Sequence, residues 1–271
     1  MSVDRLCAYY GFTRMPFGRD LSPSALFRSA SHQEAVARLT WLVEERGLGV
    51  LTGEVGAGKT VAARATVAAL EPARYQVVYC PQPTTGAVGL ISMLVAALGG
   101  NPHFHRFMLL AQAAELLAAT EAERGRQVVL IVDEAHIIEP RHLEDLRMLL
   151  SADMDSRSAA ALILIGQPTL RRRLRQSVLA ALDQRIGLRV HLEGMDLVET
   201  TAYVRHHLTL AGRKDPLFSD DAVAVLQQAS KGLPRAVNNL ALQALVATFA
   251  AGKSIVDEAA AKMAVVEVVG D

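Results

Sequence analysis

The run GEVGAGKT places Gly53, Gly58, Lys59 and Thr60 at the spacing G-x-x-x-x-G-K-[ST]. That spacing suits one kind of chemistry: a strand ends, a glycine-rich turn bares its N–H groups, and a helix begins. The bared donors of Gly53, Glu54, Val55, Gly56, Ala57, Gly58, Lys59, Thr60 and Val61 are expected to wrap the phosphates of ATP, with the helix N-terminus aimed at the same anion. Lys59 is expected to reach the β- and γ-phosphates, and the Thr60 hydroxyl to ligate Mg²⁺. A glycine-containing turn can match by chance. Here LGVLT precedes the loop and TVAARATVAAL follows it, which supplies the strand and the helix.

A second stretch supplies acid. Asp133 and Glu134 follow the apolar run VVLIV. Asp133 is expected to hold Mg²⁺ through its water shell, and Glu134 to polarise an attacking water. Two acids after an apolar strand can also be a solvated strand end. The letters DEAH occur in helicases built from two ATPase domains as well. A chain of 271 residues is too short for two, and no second motif set is present, so His136 reads as a strand-end residue. Gln167, in LILIGQP, caps the next apolar strand, where it contacts the γ-phosphate or the water, or simply marks a polar exit. Arg185, in LDQRIGLRV, is a surface charge in a monomer. In an oligomer it is placed to reach a neighbour's γ-phosphate. Arg235 follows Pro234 in SKGLPRAVNNL, near the first turn of a helix. It reports the phosphates if a helical domain folds over the nucleotide.

These groups need a scaffold that brings distant loops to one place. The apolar runs LGVLT, RYQVVYC, QVVLIV, AAALILIG and GLRVHL alternate with helical patterns, which predicts an α/β fold with a parallel sheet and helices on both faces. From Val198 onward the pattern is all-helical, so a boundary is placed near Gly194. The first thirty residues, with rings interspersed by Gly and Pro, read as an irregular arm. Ser31 reads as the N-cap of the helix HQEAVARLTWLVEE. Lys+Arg and Asp+Glu are both 28 and the formal net charge is zero, so nucleic-acid binding would need a local basic patch. Cys7 and Cys80 are the only cysteines and have no metal-ligand spacing; free thiols suit a reducing cytosol. No signal peptide and no spanning run is evident, so a cytoplasmic protein without a membrane partner is expected.

Taken together, YYGFTRMPF, HQEAVARL, GEVGAGKT, LIVDEAH, LIGQPTL, LDQRI and GLPRAVNNL resemble the ExeA-type AAA+ ATPases, a family with the related transposition helpers TniB, TnsC and IstB. The resemblance runs from Tyr9 to about Ala250. It implies a P-loop NTPase (AAA+) fold with a five-stranded parallel sheet in the order 5-1-4-3-2, flanked by helices and followed by a small helical lid. It implies an N-terminal arm (1–30) that helps enclose the adenine, with Phe12 and Phe17 nearest the base, an ATPase domain (31–193) and the lid (194–271). Packing of the arm into the core is the alternative. Secretion members of this family are longer, with a membrane span; the chain therefore reads as the stand-alone branch. The resemblance then implies an ATPase that self-assembles with ATP into a ring or filament on duplex DNA and recruits or activates a DDE-type transposase. Candidate DNA contacts are His103, His105 and Arg106 in NPHFHRF, which reads as a loop, and Arg141, His142 and Arg147 after the acids, with Arg171, Arg172, Arg173 and Arg175 as a further basic cluster or a solvated face. The alternative function is the ATPase of a secretion apparatus, acting on a membrane partner.

Overall fold

Residues 128–132 and 161–165 are apolar without alternation, the pattern of strands buried on both faces of a parallel sheet. The computed structural model describes residues 2–18, 21–83, 86–152 and 157–270. Two compact units are present. One comprises Ser31–Val55 and Lys59–Leu192; the other comprises Met1–Ala30, Gly56–Gly58 and Glu193–Asp271.

In the first unit, β1 (Leu48–Gly53), β3 (Gln127–Val132) and β6 (Ala161–Gly166) are interior strands. The edges are β2 (Tyr75–Cys80) and β7 (Ile186–Leu192). All pairings are parallel, in the order β2-β3-β6-β1-β7. Counting these five strands alone in chain order, that is the expected 5-1-4-3-2. Every residue of β1 and β6 is buried, whereas β7 alternates buried and exposed, as an edge strand with one solvated face does. A separate short ribbon pairs β4 (Ser151–Ala152) with β5 (Arg157–Ser158). Around the sheet lie α2 (Ala30–Glu44), α3 (Lys59–Ala69), α4 (Gly86–Ala97), α5 (Arg106–Arg124), α6 (Pro140–Leu150), α7 (Pro168–Leu174) and α8 (Ala180–Arg185). The apolar faces of α4 to α8 and alternate strand residues form a core that includes Leu90, Leu94, Leu117, Leu130, Leu143 and Leu164.

The register matters for function. Val50 pairs with Leu164, Leu164 with Val132, and Val132 with Cys80. The strands therefore end nearly level. The loop after β1, the acids after β3 and Gln167 after β6 all leave from the same edge, where ligands of open parallel sheets bind.

The second unit has its own core, which includes Leu6, Tyr10, Phe12, Phe17, Leu208, Phe218, Leu226 and Leu240. It is built by α1 (Val3–Tyr10), α9 (Leu197–Leu210), α10 (Asp220–Ser230), α11 (Pro234–Ala250) and α12 (Glu258–Val269). Asp196, Ser219 and Asp257 cap α9, α10 and α12 with side-chain oxygens, which satisfies N–H groups that a helix start leaves free.

Three local expectations are corrected. The N-terminal stretch is not irregular throughout: Ser2 caps α1, and Leu6 and Tyr10 share one face, each 3% exposed. The rings and prolines that suggested irregularity come after it. Ser31 lies inside α2, which starts at Ala30; the Ala30 N–H is taken by the Glu199 carboxylate at 2.8 Å, so the first turn does not depend on Ser31 as a cap. Arg106 and Phe107 belong to α5 rather than to the preceding loop.

His207 makes the second unit acid-sensitive. It is 3% exposed, its ring stacks on Phe17 at 5.2 Å, and it lies 4.5 Å from the Tyr203 ring. Burial, then the fields of His206 and Arg14, push its pKa from 6.5 down to about 4. The folded state therefore holds a neutral imidazole, while the unfolded chain takes up a proton below about pH 6.5. The unfolded state binds more protons in that window, so stability is complete above it and falls as pH drops towards 4, by on the order of 3 kcal/mol. Thermal unfolding measured from pH 7.5 to 4.5 is expected to show this slope, and His207→Gln is expected to flatten it.

Candidate functional site

Lys59 opens α3 and is 8% exposed. Its ammonium donates to the carbonyl oxygens of Gly53 and Glu54, each at 3.0 Å. The charge is thus held over the loop by neutral acceptors, which a phosphate can replace. Nothing lies within 4 Å of where a Cβ at Gly58 would sit. The exposed Thr60 follows Lys59 in the same helix. Its hydroxyl donates to Asp133 Oδ2 at 2.7 Å, which joins the first turn of α3 to the residue after β3 although 73 residues separate them.

Asp133 is 3% exposed. Its Oδ1 accepts the Glu134 backbone N–H at 2.8 Å. Its Oδ2 accepts from Thr60 and also from the Tyr79 hydroxyl, at 3.1 Å. Burial, followed by the Asp133 charge, pushes the Tyr79 phenol up to about 12, so it remains a proton donor at neutral pH. Glu134 takes a left-handed backbone, φ 53°, a costly conformation for a residue with a side chain. Its carboxylate lies 3.4 Å from His136 Nδ1. His136 is therefore not a strand-end residue but part of a 3₁₀ turn, Ala135–Ile137. The turn is pinned from α7: Arg173 donates to the carbonyls of His136 and Ile138, each at 2.7 Å.

The donor set fits Mg²⁺. Hard oxygens of one hydroxyl and one carboxylate suit a cation that keeps most of its waters and shares phosphate oxygens. Among the described residues there is no cluster of three or more His, Cys, Asp or Glu that could hold a metal ion by themselves. Thr60 and Asp133 would hold the ion, which when bound would offset charge on the phosphates.

The remaining expected residues fall in several places. Gln167 sits at the N-terminus of α7 beside this edge, partly buried and with no capping hydrogen bond to the helix from its side chain. Arg185 ends α8 and donates to Ser151 Oγ at 2.8 Å. Arg235 is exposed on the first turn of α11; its backbone N–H donates to Gly56 O at 3.3 Å within the second unit. Phe12 and Phe17, each 7% exposed, are part of the helical core. Phe12 packs on Tyr10, and Phe17 on His207 and Phe218. Core packing accounts for both rings, so this placement gives the expected adenine contact no support. Of the basic residues considered for DNA, Arg106 pairs with the buried Asp145, Arg141 with Glu139 at 2.9 Å and Arg147 with Glu144 at 2.7 Å. His142 lies 3.6 Å from Asp145. His103 and His105 are exposed, as are Arg171, Arg172 and Arg175.

Tyr79 is the contact to the site that the motifs do not flag. Its only sequence signal is its place near the end of RYQVVYC, an apolar strand expected to end at the same sheet edge.

Residues 43–174 match a family model described as AAA domain. Over 265 residues, or 97% of this chain, the sequence is 34% identical to General secretion pathway protein A of Aeromonas hydrophila. The chain spans about half, 48%, of that relative's length, so its shortness does not separate a stand-alone branch from a secretion branch. Among solved structures, the Aeropyrum pernix ORC2 protein in its ADPNP–ADP complexes matches with TM-score 0.66 and 18% identity, covering 93% of this chain and 71% of that one. The Aeropyrum pernix ORC1 protein in complex with DNA matches with TM-score 0.64 and 14% identity, covering 93% and 68%. At those identities the likeness concerns the fold. No helix among the described residues is long and apolar enough to cross a membrane.

Proposed function

We propose that this chain, whose fold is that of the P-loop AAA+ proteins, hydrolyses Mg²⁺-ATP and uses the cycle to drive a protein-export apparatus. One observation carries the reading: the similarity to General secretion pathway protein A runs through 97% of the chain, through the phosphate loop and the helical unit alike. The chemistry rests on the juxtaposition of Lys59, Thr60, Asp133 and Glu134. Lys59 and the loop N–H groups bind phosphate, and Glu134 accepts the proton of the attacking water. Residues 31–193 act as the ATPase domain, 194–271 as a lid whose Arg235 senses phosphate, and 1–30 as an arm. Arg185 approaches a neighbour's γ-phosphate on ATP-dependent assembly, exchanging its Ser151 bond for that contact. The partner is a component of the envelope membrane.

A second reading is the transposition helper on duplex DNA. The observation in its favour is the exposed run His103–Phe107 at the start of α5, with Phe104 93% and Phe107 80% exposed, a candidate contact surface. The pairing of Arg106, Arg141 and Arg147 with carboxylates counts against it, because compensated charges release few counterions from DNA.

The two readings separate in one experiment. The protein with ATP or ADP is mixed either with envelope vesicles or with duplex DNA at about 50 mM salt, where phosphate contacts are strong. The export reading expects ATP-dependent co-sedimentation with vesicles and no retention of DNA. ATP-dependent DNA retention that falls steeply with salt, without vesicle binding, reverses the order. Absence of phosphate release from ATP removes both.

A further inference from the structure

We propose that Tyr79 is a positioning residue for the Mg²⁺-bearing carboxylate of Asp133. The proposal deepens the Mg²⁺-ATP reading and rests on it. Its basis is the three-donor seat of Asp133. One oxygen takes the backbone N–H of Glu134; the other takes two hydroxyls, Thr60 from α3 and Tyr79 from β2. The backbone donor comes from the adjacent residue and by itself leaves the far oxygen free to swing. The Thr60 hydroxyl would itself ligate a bound ion, so its bond to Asp133 is the one that would have to adjust. Tyr79 is the donor with no duty to the ion.

The scaffold holds Tyr79 where this is possible. Tyr79 pairs with Ile131 in the β2–β3 ladder, and Cys80 with Val132. The Asp133 N–H donates to Cys80 O at 2.8 Å, which extends that ladder one step past the strand and locks the two strand ends together. The Tyr79 ring is 43% exposed, so burial in the core does not explain why the residue is there. Its hydroxyl nevertheless turns back to an aspartate that is 3% exposed. A donor fixed to a rigid strand keeps Oδ2 aimed, and a carboxylate already aimed loses less orientational freedom when an ion's water shell docks on it.

The test is Tyr79→Phe, which keeps the ring and removes the hydroxyl. The affinity of a fluorescent mant-ATP is measured with excess Mg²⁺ and with EDTA, and the half-saturating Mg²⁺ concentration of ATP hydrolysis is measured beside it. Removing a hydrogen bond to a charged acceptor is expected to cut the Mg²⁺-dependent gain in nucleotide affinity roughly three- to ten-fold, and to raise the half-saturating Mg²⁺ by a similar factor. Affinity in EDTA is expected to stay at the wild-type value, since the loop and Lys59 are untouched. The proposal is overturned if the variant keeps the wild-type gain from Mg²⁺, or if its EDTA affinity falls in step, which marks a merely structural role. Tyr79→Leu, which also lacks a donor, serves if the Phe variant does not fold; a wild-type Mg²⁺ response there overturns the proposal equally. If the wild type itself binds no mant-ATP, the ATPase reading and this inference fall together, whereas a Mg²⁺-responsive wild type matched by both variants removes this inference alone.

Discussion

Glu134→Gln is expected to lower ATP turnover by about 10²–10⁴-fold, the range of a general base, while nucleotide stays bound. The amide has nearly the same shape but no site that accepts the water's proton at neutral pH. The backbone should not respond. The bond from the residue 134 N–H to Asp133 Oδ1 is made by the main chain, and Gln meets the left-handed φ of 53° at about the same cost as Glu. Phosphate release and mant-ATP affinity measured together separate the two effects. Wild-type turnover in the variant would remove Glu134 as the base. The same variant reports on assembly. If Arg185 acts across a subunit seam, Glu134→Gln accumulates as a larger species with ATP in size-exclusion chromatography with light scattering. The double variant with Arg185→Ala then returns to the protomer. A trapped variant that remains a protomer in ATP sinks the trans role of Arg185.

The second large effect is structural. Gly232→Ala is expected to cost more than about 4 kcal/mol, the range reached only by severe steric or burial defects. A Cβ at Gly232 would stand 1.9 Å from Met195 O and 2.6 Å from Met195 N, at φ +67°. Both obstacles are backbone, so no side chain can rotate away. The same two residues are joined by a hydrogen bond, Met195 N–H to Gly232 O at 2.9 Å, which ties the chain entering α9 to the turn between α10 and α11. Gly252 is the control: it has the same φ of +67° but nothing within 4 Å of its Cβ position. Gly252→Ala should cost only the left-handed penalty, about 1 kcal/mol. For a chain of this size the Gly232 change should lower Tm by roughly 10 °C or more. Equal Tm values for the two variants would show that the close approach does not matter. Arg235 lies three residues after Gly232, so a loosened turn also frees the residue proposed to sense phosphate.

The contrast between these two residues shows what kind of information each level holds. Glu134 could be singled out from letters alone, because Asp-Glu after five apolar residues and downstream of GEVGAGKT has few other uses. Gly232 could not. Its neighbours SKGLPR fit any helix start, and the clash that demands glycine is with Met195, which is remote in the chain.

The order of local patterns determined that a parallel sheet forms and that the loop, the acids and Gln167 each follow a strand, because apolar runs and glycine-rich turns act through neighbours in the chain; the strand order was implied only by the family resemblance. Tertiary structure decided the rest. Tyr79 meets Asp133 across 54 residues, Arg106 is neutralised by Asp145 across 39, and Phe12 and Phe17 pack into the helical core. Charges and rings carry no mark of their partner in the sequence, since a pairing costs or gains energy only once the fold has brought both groups out of water and side by side.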